Sequence, residues 1–175
     1  MGDNLNKILN HGEFKKKKRV NSRRKGNAFE REVAKILNTR FNTKDFCRSP
    51  GSGAFATTHE LPQYMKVYGD LITPQNFKFI LECKSGYDVT FEDIFKPKSD
   101  FYKFIAQAKR DAEKAEKDWL VVYKKTRRKP FVITSKKYNI SPVVSINEES
   151  YVYRLSDFLS LETSIFMPES PESTH

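Results

Sequence analysis

The sequence predicts a single α/β (α+β) domain with a central mixed β-sheet flanked by helices. Two observations support this prediction. Apolar residues recur at helical spacing in residues 26–39 and again in 100–117, and segments with strand character follow each of these stretches. The order helix, strands, helix, strands is typical of a sheet whose faces are covered by helices.

The first half of the chain is expected to hold one helix and three strands. The helix starts just after Gly26, and its apolar side is formed by Phe29, Val33, Ile36 and Leu37. KDFCR (44–48) indicates a short strand, and residues 49–63 are a loop by composition. Residues 66–72 and 77–84 are predicted as strands joined by the turn TPQN.

The second half is expected to begin with a helix over roughly 100–117, with Ser99 as its N-cap. WLVVYKK (119–125) and PFVITS (130–135) are predicted strands, and SPVVSI, YVYRL and SDFLSL indicate further strand and a short closing helix. The apolar side of the helix is formed by Phe101, Phe104, Ile105, Ala108, Ala112 and Ala115.

Positive charge is concentrated near the N-terminus of this 175-residue chain, whose formal net charge is +10. Residues 1–25 hold nine Lys and Arg residues, whereas none follows Arg154. We expect a basic, flexible arm over 1–24, one folded domain over 25–167 and a flexible acidic tail over 168–175. A basic arm of this kind favours a polyanionic partner, nucleic acid first, although a solubility tail or a localisation signal is the alternative.

Several classes of protein are disfavoured by composition. No apolar run approaches the roughly 18 residues that suggest a membrane span, and the polar, basic N-terminus lacks the apolar core of a secretion signal. The two cysteines, Cys47 and Cys83, make neither a disulfide framework nor zinc-ligand spacing. We expect a reduced, intracellular protein of the cytoplasm or nucleoid, without a membrane partner or a small-molecule cofactor.

The strand at 77–84 carries two charged residues, Glu82 and Lys84, on one face. Side chains alternate along a strand, so Phe77, Phe79, Leu81 and Cys83 share one side and Lys78, Ile80, Glu82 and Lys84 the other. One interpretation is a half-buried strand with a solvated outer face and a surface ion pair. The other is a carboxylate and an ammonium group held together for catalysis.

Two further carboxylates are candidates for the same site. Glu30 lies at the border of the apolar face of the first helix, and Asp70 lies in the strand before Glu82. Carboxylate oxygens are ligands that Mg²⁺ prefers, and such an ion can activate water against a phosphodiester. Lys84 would either orient or deprotonate that water, or neutralise developing negative charge.

The turn at TPQN decides whether Asp70 can reach Glu82. A regular four-residue turn pairs Ile72 with Phe77, and Asp70 then falls on the face of Phe79, away from Glu82. A common face therefore requires an irregular turn or a bulge near Gly69, which we predict.

Four segments carry a resemblance to a known family: RKGNAFERE (24–32), RSPGSG (48–53), GDLI (69–72) and LECKS (81–85). In this order they resemble the PD-(D/E)xK nuclease superfamily, and more narrowly the archaeal-type Holliday junction resolvases. The resemblance implies a restriction-endonuclease-like core and a homodimeric, Mg²⁺-dependent endonuclease, with Mn²⁺ able to substitute. Its expected substrate is DNA, preferably four-way junctions, in which it nicks opposing strands.

The resemblance also implies roles for individual residues. Glu30, Asp70 and Glu82 would be acidic metal-site residues, the backbone carbonyl of Cys83 a further ligand, and Lys84 the catalytic lysine. Ser52 would assist catalysis beside the scissile phosphate. The residues expected to contact DNA are Arg24, Lys25, Arg31, Arg48, Ser49, Ser52, Gln107 and Lys109; for the last two, an ordinary exposed helix face is the alternative.

Two alternative functions remain open at this level. One is another PD-(D/E)xK nuclease, such as a restriction-like, flap-cutting or DNA-degrading enzyme. The other is a non-catalytic basic DNA-binding module. The chain departs from the family pattern in having Gly rather than Pro before Asp70 and a longer stretch between Gly53 and Asp70. Its compact size and basic arm suit a phage or viral recombination enzyme, which would act in the cytoplasm of the host cell.

Overall fold

A computed structural model describes residues 22–50, 68–146 and 149–168. Its helices are α1 (Ser22–Phe41), α2 (Asp100–Ala115), α3 (Leu155–Phe158) and α4 (Thr163–Phe166), with a 3-10 helix over Phe91–Phe95. Its strands are β1 (Cys47–Arg48), β2 (Leu71–Ile72), β3 (Phe79–Ser85), β4 (Asp118–Lys124), β5 (Phe131–Thr134), β6 (Val144–Ile146) and β7 (Ser150–Arg154). None of the helices within these ranges is long and apolar enough to cross a membrane.

Five strands form one mixed sheet in the order β3-β4-β5-β7-β6. The β3–β4 pair is parallel, as expected for strands connected through a helix, here α2. The remaining pairs of this sheet are antiparallel. The predicted mixed sheet flanked by helices is confirmed, and β3 forms one edge of it.

Both faces of β3 are covered by helices. Leu81 packs in one apolar cluster with Phe29 of α1 and Phe158 of α3, whereas Ile80 packs in another with Phe101 of α2. The alternation of side chains along β3 is therefore as predicted, but the interpretation of a half-buried strand with a solvated face is wrong. Burial of a large apolar side chain stabilises a fold by roughly 1.5–3 kcal/mol, so the two clusters fix β3 between the helices.

The predicted hairpin of 66–72 with 77–84 is also wrong in its pairing. Among the described residues of the first segment only Leu71–Ile72 is strand, and it pairs antiparallel with β1. Gly69 has φ of +78°, and a Cβ at this position would lie 2.7 Å from Leu81 O. Both the close approach and the positive φ favour glycine, and they make the backbone irregular just before β2. The predicted irregularity near Gly69 is present.

The helices differ from the prediction at their N-termini. α1 already includes Ser22, four residues before Gly26, because one glycine costs a helix only about 1 kcal/mol relative to alanine and its basic neighbours are good helix formers. Ser99 is the N-cap residue of α2, as predicted, but its side chain does not cap the helix. Its Oγ donates instead to Asp93 O at 2.7 Å and fastens the preceding 3-10 turn.

Candidate active site

Asp70 lies against the open edge of β3. Asp118 N of β4 donates to Lys78 O at 2.9 Å, so alternate residues from Lys78 onward bond to β4. The residues between them, Leu81 and Cys83, direct their peptide groups to the other side. There Asp70 N donates to Leu81 O at 2.8 Å, and Asp70 Oδ2 accepts a hydrogen bond from Cys83 N at 2.7 Å.

Glu82 and Lys84 lie on the face of β3 that packs against α2. The Glu82 side chain is 1% exposed, and Lys84 Nζ is 2.9 Å from Glu82 Oε2. The same ammonium donates to Gln107 Oε1 at 3.0 Å and lies 5.7 Å from the ring centre of Phe104. The predicted pair is thus a buried carboxyl–ammonium contact rather than a surface ion pair.

Asp70 approaches Glu82 from the edge of β3. The two residues do not lie on a common face of paired strands, as the predicted hairpin required. The Glu82 carboxyl lies close enough to Asp70 that each group influences the pKa of the other. The conflict between turn length and a common face therefore does not arise, because an edge residue can reach side chains on either face.

Glu30 brings a third carboxylate toward this edge from α1. It is buried, and its Oε2 accepts a hydrogen bond from Arg48 Nε of β1. Burial and the negative charge of Asp70 raise the pKa of Glu30, while Arg48 and Lys84 oppose this rise. Arg48 thus holds Glu30 as an ion pair at the margin of the site.

Burial and mutual repulsion keep a proton among the carboxyl groups. Desolvation and the charge of Asp70 raise the pKa of Glu82 to about 8, against the effect of Lys84. Desolvation also raises the pKa of Asp70, although the hydrogen bond from Cys83 partly offsets this. Carboxyl groups this close and this buried favour a cation between them.

Lys84 is held as a cation. Burial lowers the pKa of its ammonium, but Glu82 and Asp70 outweigh burial, and the net pKa lies above the ordinary value. The pKa of the neighbouring Cys83 thiol is also raised, well above its usual range, by burial and by the negative charges of Asp70 and Glu82. Cys83 is therefore a neutral thiol in the core, and only its backbone belongs to the site.

These groups line one open cleft of about 680 Å³. The acidic and basic residues from β3 and its edge form the floor, and α1 and α2 form the walls. The cleft is lined, among others, by Glu30, Asp70, Glu82, Cys83, Lys84, Gln107 and Asp111. A polar cleft with carboxylates and a fixed cation has the composition of a site for a phosphodiester and a hard metal ion.

The donor set fits a divalent cation in part. Within the described ranges no three carboxylate, imidazole or thiol groups converge as a ready-made metal cage. Glu82 Oε2 is nevertheless buried without a partner in hydrogen-bond geometry, since the approach of Lys84 is close but poorly angled. Asp70, Glu82 and the edge-facing carbonyl of Cys83 offer oxygen ligands, which is the chemistry that Mg²⁺ requires.

Comparison with known proteins identifies the family. Residues 21–163 match the family model described as "Phage putative PDDEXK endonuclease". The protein belongs to this family of phage PDDEXK endonucleases. No significant match was found among curated proteins or among solved structures.

Membership agrees with the fold and with the site. The five-stranded mixed sheet between helices is the restriction-endonuclease-like fold. A PDDEXK endonuclease has DNA as its substrate and typically uses a divalent metal. The predicted motif residues Asp70, Glu82 and Lys84 fall inside the matched range, and the structure brings the three together at the edge of β3.

The predicted DNA-contacting residues lie at several places around the site. Lys25 and Gln107 line the cleft, while Arg31 and Arg48 border a shallower groove beside β1. Arg24 is exposed on α1. Their contact with DNA stays a prediction.

Two other predicted residues, Lys109 and Ser49, do not line the cleft. Lys109 lines a different depression near Lys78 and Trp119, and so is not beside Lys84 as Gln107 is. Ser49 is only 4% exposed, and its N–H donates to Asp70 O at 3.0 Å. Its position makes it a support for Asp70. Ser52 lies outside the described residues.

The cleft of the endonuclease also contains residues that were not predicted from the sequence, among them Asp111 and Tyr87. Asp111 lies one helical turn after Gln107, and its negative charge contributes to the raised pKa of Glu82. That spacing was the signal available for Asp111. Tyr87 follows the end of β3 and lines the same cleft, and its only sequence signal was its position three residues after Lys84.

Proposed function

We propose that this PDDEXK endonuclease resolves four-way DNA junctions by paired nicks, using Mg²⁺ or, in its place, Mn²⁺. The observation that carries the catalytic part is the buried Asp70–Glu82 pair at the open edge of β3, with the Lys84 cation beside it. Such a pair retains a proton while no cation is present and offers two oxygen ligands once that proton leaves.

The residues of β3 and its edge would hold the metal ion. Asp70 and Glu82 would bind it through carboxylate oxygens and Cys83 through its backbone carbonyl, with Glu30 as a further carboxylate at the margin. A divalent cation held there supplies positive charge beside the scissile phosphate and promotes ionisation of water. The N–H of Cys83 keeps Asp70 directed into the site.

Lys84 would act as a fixed positive charge. Its raised pKa keeps the ammonium protonated near neutral pH, so it suits stabilisation of negative charge on the phosphate better than removal of a proton from water. Gln107 accepts a hydrogen bond from Nζ and limits the positions that the ammonium can take. Lys84 and Gln107 together would orient the attacked phosphodiester.

DNA would approach across α1 and β1. Arg24, Lys25 and Arg31 would contact the sugar-phosphate backbone, and Arg48 would reach a phosphate near its partner Glu30. The basic arm over 1–24 and Lys109 would add phosphate contacts outside the cleft, and Ser52 would approach the scissile phosphate. A charged Arg that is already oriented by a carboxylate loses little freedom when it binds phosphate.

Junction selectivity rests on the resemblance of four segments to junction resolvases and on the strongly basic N-terminus. Two nicks in opposing strands require two active sites, so we propose that the acting species is a homodimer, working in the cytoplasm of the host cell. Each protomer would contribute one complete cleft.

The test is cleavage of an immobile four-way junction and of a linear duplex with the same sequence, in Mg²⁺. We expect symmetric nicks in the junction and little cleavage of the duplex. Equal cleavage of the two DNAs would contradict junction selectivity while leaving an endonuclease. No cleavage by the wild-type protein in either Mg²⁺ or Mn²⁺ would contradict the catalytic proposal itself.

A further inference from the structure

Tyr87 is an exposed aromatic residue inside the candidate active site. It lines the cleft together with Lys84 and Glu82, and 44% of its surface is exposed. Phe95, on the same connection between β3 and α2, is more exposed at 71% but is not among the residues that line this cleft. Tyr87 therefore combines exposure with a place beside the reacting groups.

The position of Tyr87 is fixed by its backbone. Gly86 N donates to Lys124 O at 3.3 Å, and Gly86 then turns the chain with φ of +85°. The carbonyl oxygen of Tyr87 accepts a hydrogen bond from the hydroxyl of Tyr123 at 2.8 Å. The same hydroxyl accepts a bond from Val89 N at 3.3 Å, so one side chain of β4 fastens the segment at Tyr87 and again two residues later.

The ring of Tyr87 is held as well. It packs against Phe104 of α2 with the ring centres 4.8 Å apart and an interplanar angle of 70°. Phe104 is itself buried and lies close to Lys84 Nζ. The Tyr87 ring is thus placed in advance of any ligand, which lowers the entropic cost of a stacking contact.

We propose that Tyr87 stacks on the nucleobase next to the cleaved phosphodiester. Aromatic side chains beside a phosphate-binding groove stack on unpaired bases without regard to sequence. A base can reach the ring only when it leaves the duplex stack, which is easiest at a branch point or another distortion. The proposal rests on the proposed nuclease function and assigns Tyr87 the part of selecting DNA with an unstacked base at the cut.

The direct test is a double-mutant cycle in which one change is Tyr87→Ala and the other is removal of the base from the DNA. The wild-type cut site is mapped first, on whichever DNA the protein cleaves. Affinities are then measured in Ca²⁺, which replaces Mg²⁺ to limit cleavage, for that DNA and for the same DNA with an abasic nucleotide beside the cut. Either change alone is expected to weaken binding by roughly 10-fold, since stacking on an aromatic side chain contributes about that factor or more.

The two changes together should weaken binding no more than either one does. Independent, multiplying losses would overturn the stacking proposal, and so would an unchanged affinity of Tyr87→Ala. Tyr87→Phe should bind within about 2-fold of wild type, because the ring and not the hydroxyl makes the contact; a loss equal to that of alanine would overturn it. Thermal unfolding of each variant confirms that it is folded.

Phe95→Ala is the matched control. It removes an exposed aromatic ring of the same connection that does not line the cleft, and it is expected to leave the affinity for both DNAs unchanged. An equal loss of DNA affinity in Phe95→Ala would overturn the assignment of the stacking contact to Tyr87. Failure of junction selectivity is seen separately, as equal cleavage of junction and duplex by the wild-type protein, and does not affect the outcome of the cycle.

Discussion

The carboxylate of Asp70 is held by the backbone of Cys83: Asp70 Oδ2 accepts a hydrogen bond from Cys83 N at 2.7 Å. This bond joins a residue that precedes β2 to the side of β3 that faces away from β4. It places Asp70 next to the two residues that flank Cys83 in the chain, Glu82 and Lys84. A short motif on one strand and a single residue 12 positions earlier thereby become one site.

The two roles of Asp70, as an acceptor and as a charge, can be separated by substitution. Asp70→Asn keeps an oxygen that can accept from Cys83 N but removes the charge, so it should abolish Mg²⁺-dependent cleavage while the free energy of unfolding stays near that of wild type. Asp70→Ala should also abolish cleavage and in addition lower the free energy of unfolding by about 1–2 kcal/mol, since Cys83 N–H loses its partner.

Urea unfolding in EDTA measures the stability part of this comparison, and nicking assays measure the activity. Cleavage by Asp70→Asn at the wild-type rate would show that the charge of Asp70 is not needed. Equal stability of the two variants would show that the bond to Cys83 contributes nothing measurable.

The raised pKa of Glu82 predicts how the stability of the metal-free protein depends on pH. The folded-state pKa is about 8, whereas the ordinary value is 4.5. Between these values the folded state binds more protons than the unfolded state, so this contribution is fully present below about pH 4.5 and is lost as pH rises through about 8. The loss is expected to be on the order of a few kcal/mol.

Glu82→Gln is the matched variant for this dependence because its side chain does not titrate. In EDTA its stability should change less than that of wild type between pH 5 and pH 8.5, and it should be the more stable protein at the upper end. Thermal or urea unfolding across this range gives the comparison. Parallel curves for the two proteins would contradict the assignment of the raised pKa to Glu82.

Two glycines that border the site should respond to alanine in opposite ways. A Cβ at Gly69 would lie 2.7 Å from Leu81 O and the residue has φ of +78°, so Gly69→Ala should lower the free energy of unfolding by about 1–3 kcal/mol and displace Asp70. A Cβ at Gly26 in α1 meets only Glu30 Oε1, at 4.0 Å, so Gly26→Ala should be neutral or stabilise by up to about 1 kcal/mol.

Unfolding and cleavage assays on the two alanine variants check this contrast. Gly69→Ala should lose activity along with stability, because Asp70 follows directly. Full activity and stability in Gly69→Ala would contradict the close approach of the chain to Leu81.

The basic arm should contribute electrostatic affinity for DNA without contributing to the chemistry. Removal of residues 1–21 takes away six basic residues together with Asp3 and Glu13, a net charge of +4, while leaving Arg23 and Arg24, so it should weaken DNA binding and reduce the slope of log affinity against log salt concentration. The single-turnover cleavage rate at saturating protein should change little. Affinities measured over a series of KCl concentrations test this, and an unchanged slope would assign the arm another role.

The charged motif on β3 could be predicted because strand alternation is a local property. Glu82 and Lys84 are two residues apart, so they share a face whatever the rest of the fold does. The burial of that face could not be predicted in the same way, since it depends on α2 packing there. The sequence showed Ile80 and the apolar side of α2 separately. It did not show that the two pack against each other.

The contacts that complete the site are long-range and irregular. Asp70 reaches β3 through its edge, after a glycine with positive φ, and regular hairpin pairing rules do not describe this arrangement. The ion pair of Glu30 with Arg48 joins α1 to β1 and depends on how these two elements cross. Asp111 and Gln107 illustrate the same limit, because helical spacing places them on one side of α2 but does not say what that side faces.

The most direct test of the account is single-turnover nicking by Lys84→Ala in Mg²⁺, beside wild type and the control Lys109→Ala, whose residue lies outside the cleft. Removal of a fixed charge that stabilises the transition state typically costs 100-fold or more, so we expect a loss of at least about 100-fold for Lys84→Ala with its DNA affinity in Ca²⁺ nearly unchanged. Lys109→Ala should cleave at close to the wild-type rate at saturating protein, because any phosphate contact of Lys109 contributes to affinity and not to the chemical step. Cleavage by Lys84→Ala at the wild-type rate would contradict the assignment of the β3 edge as the active site.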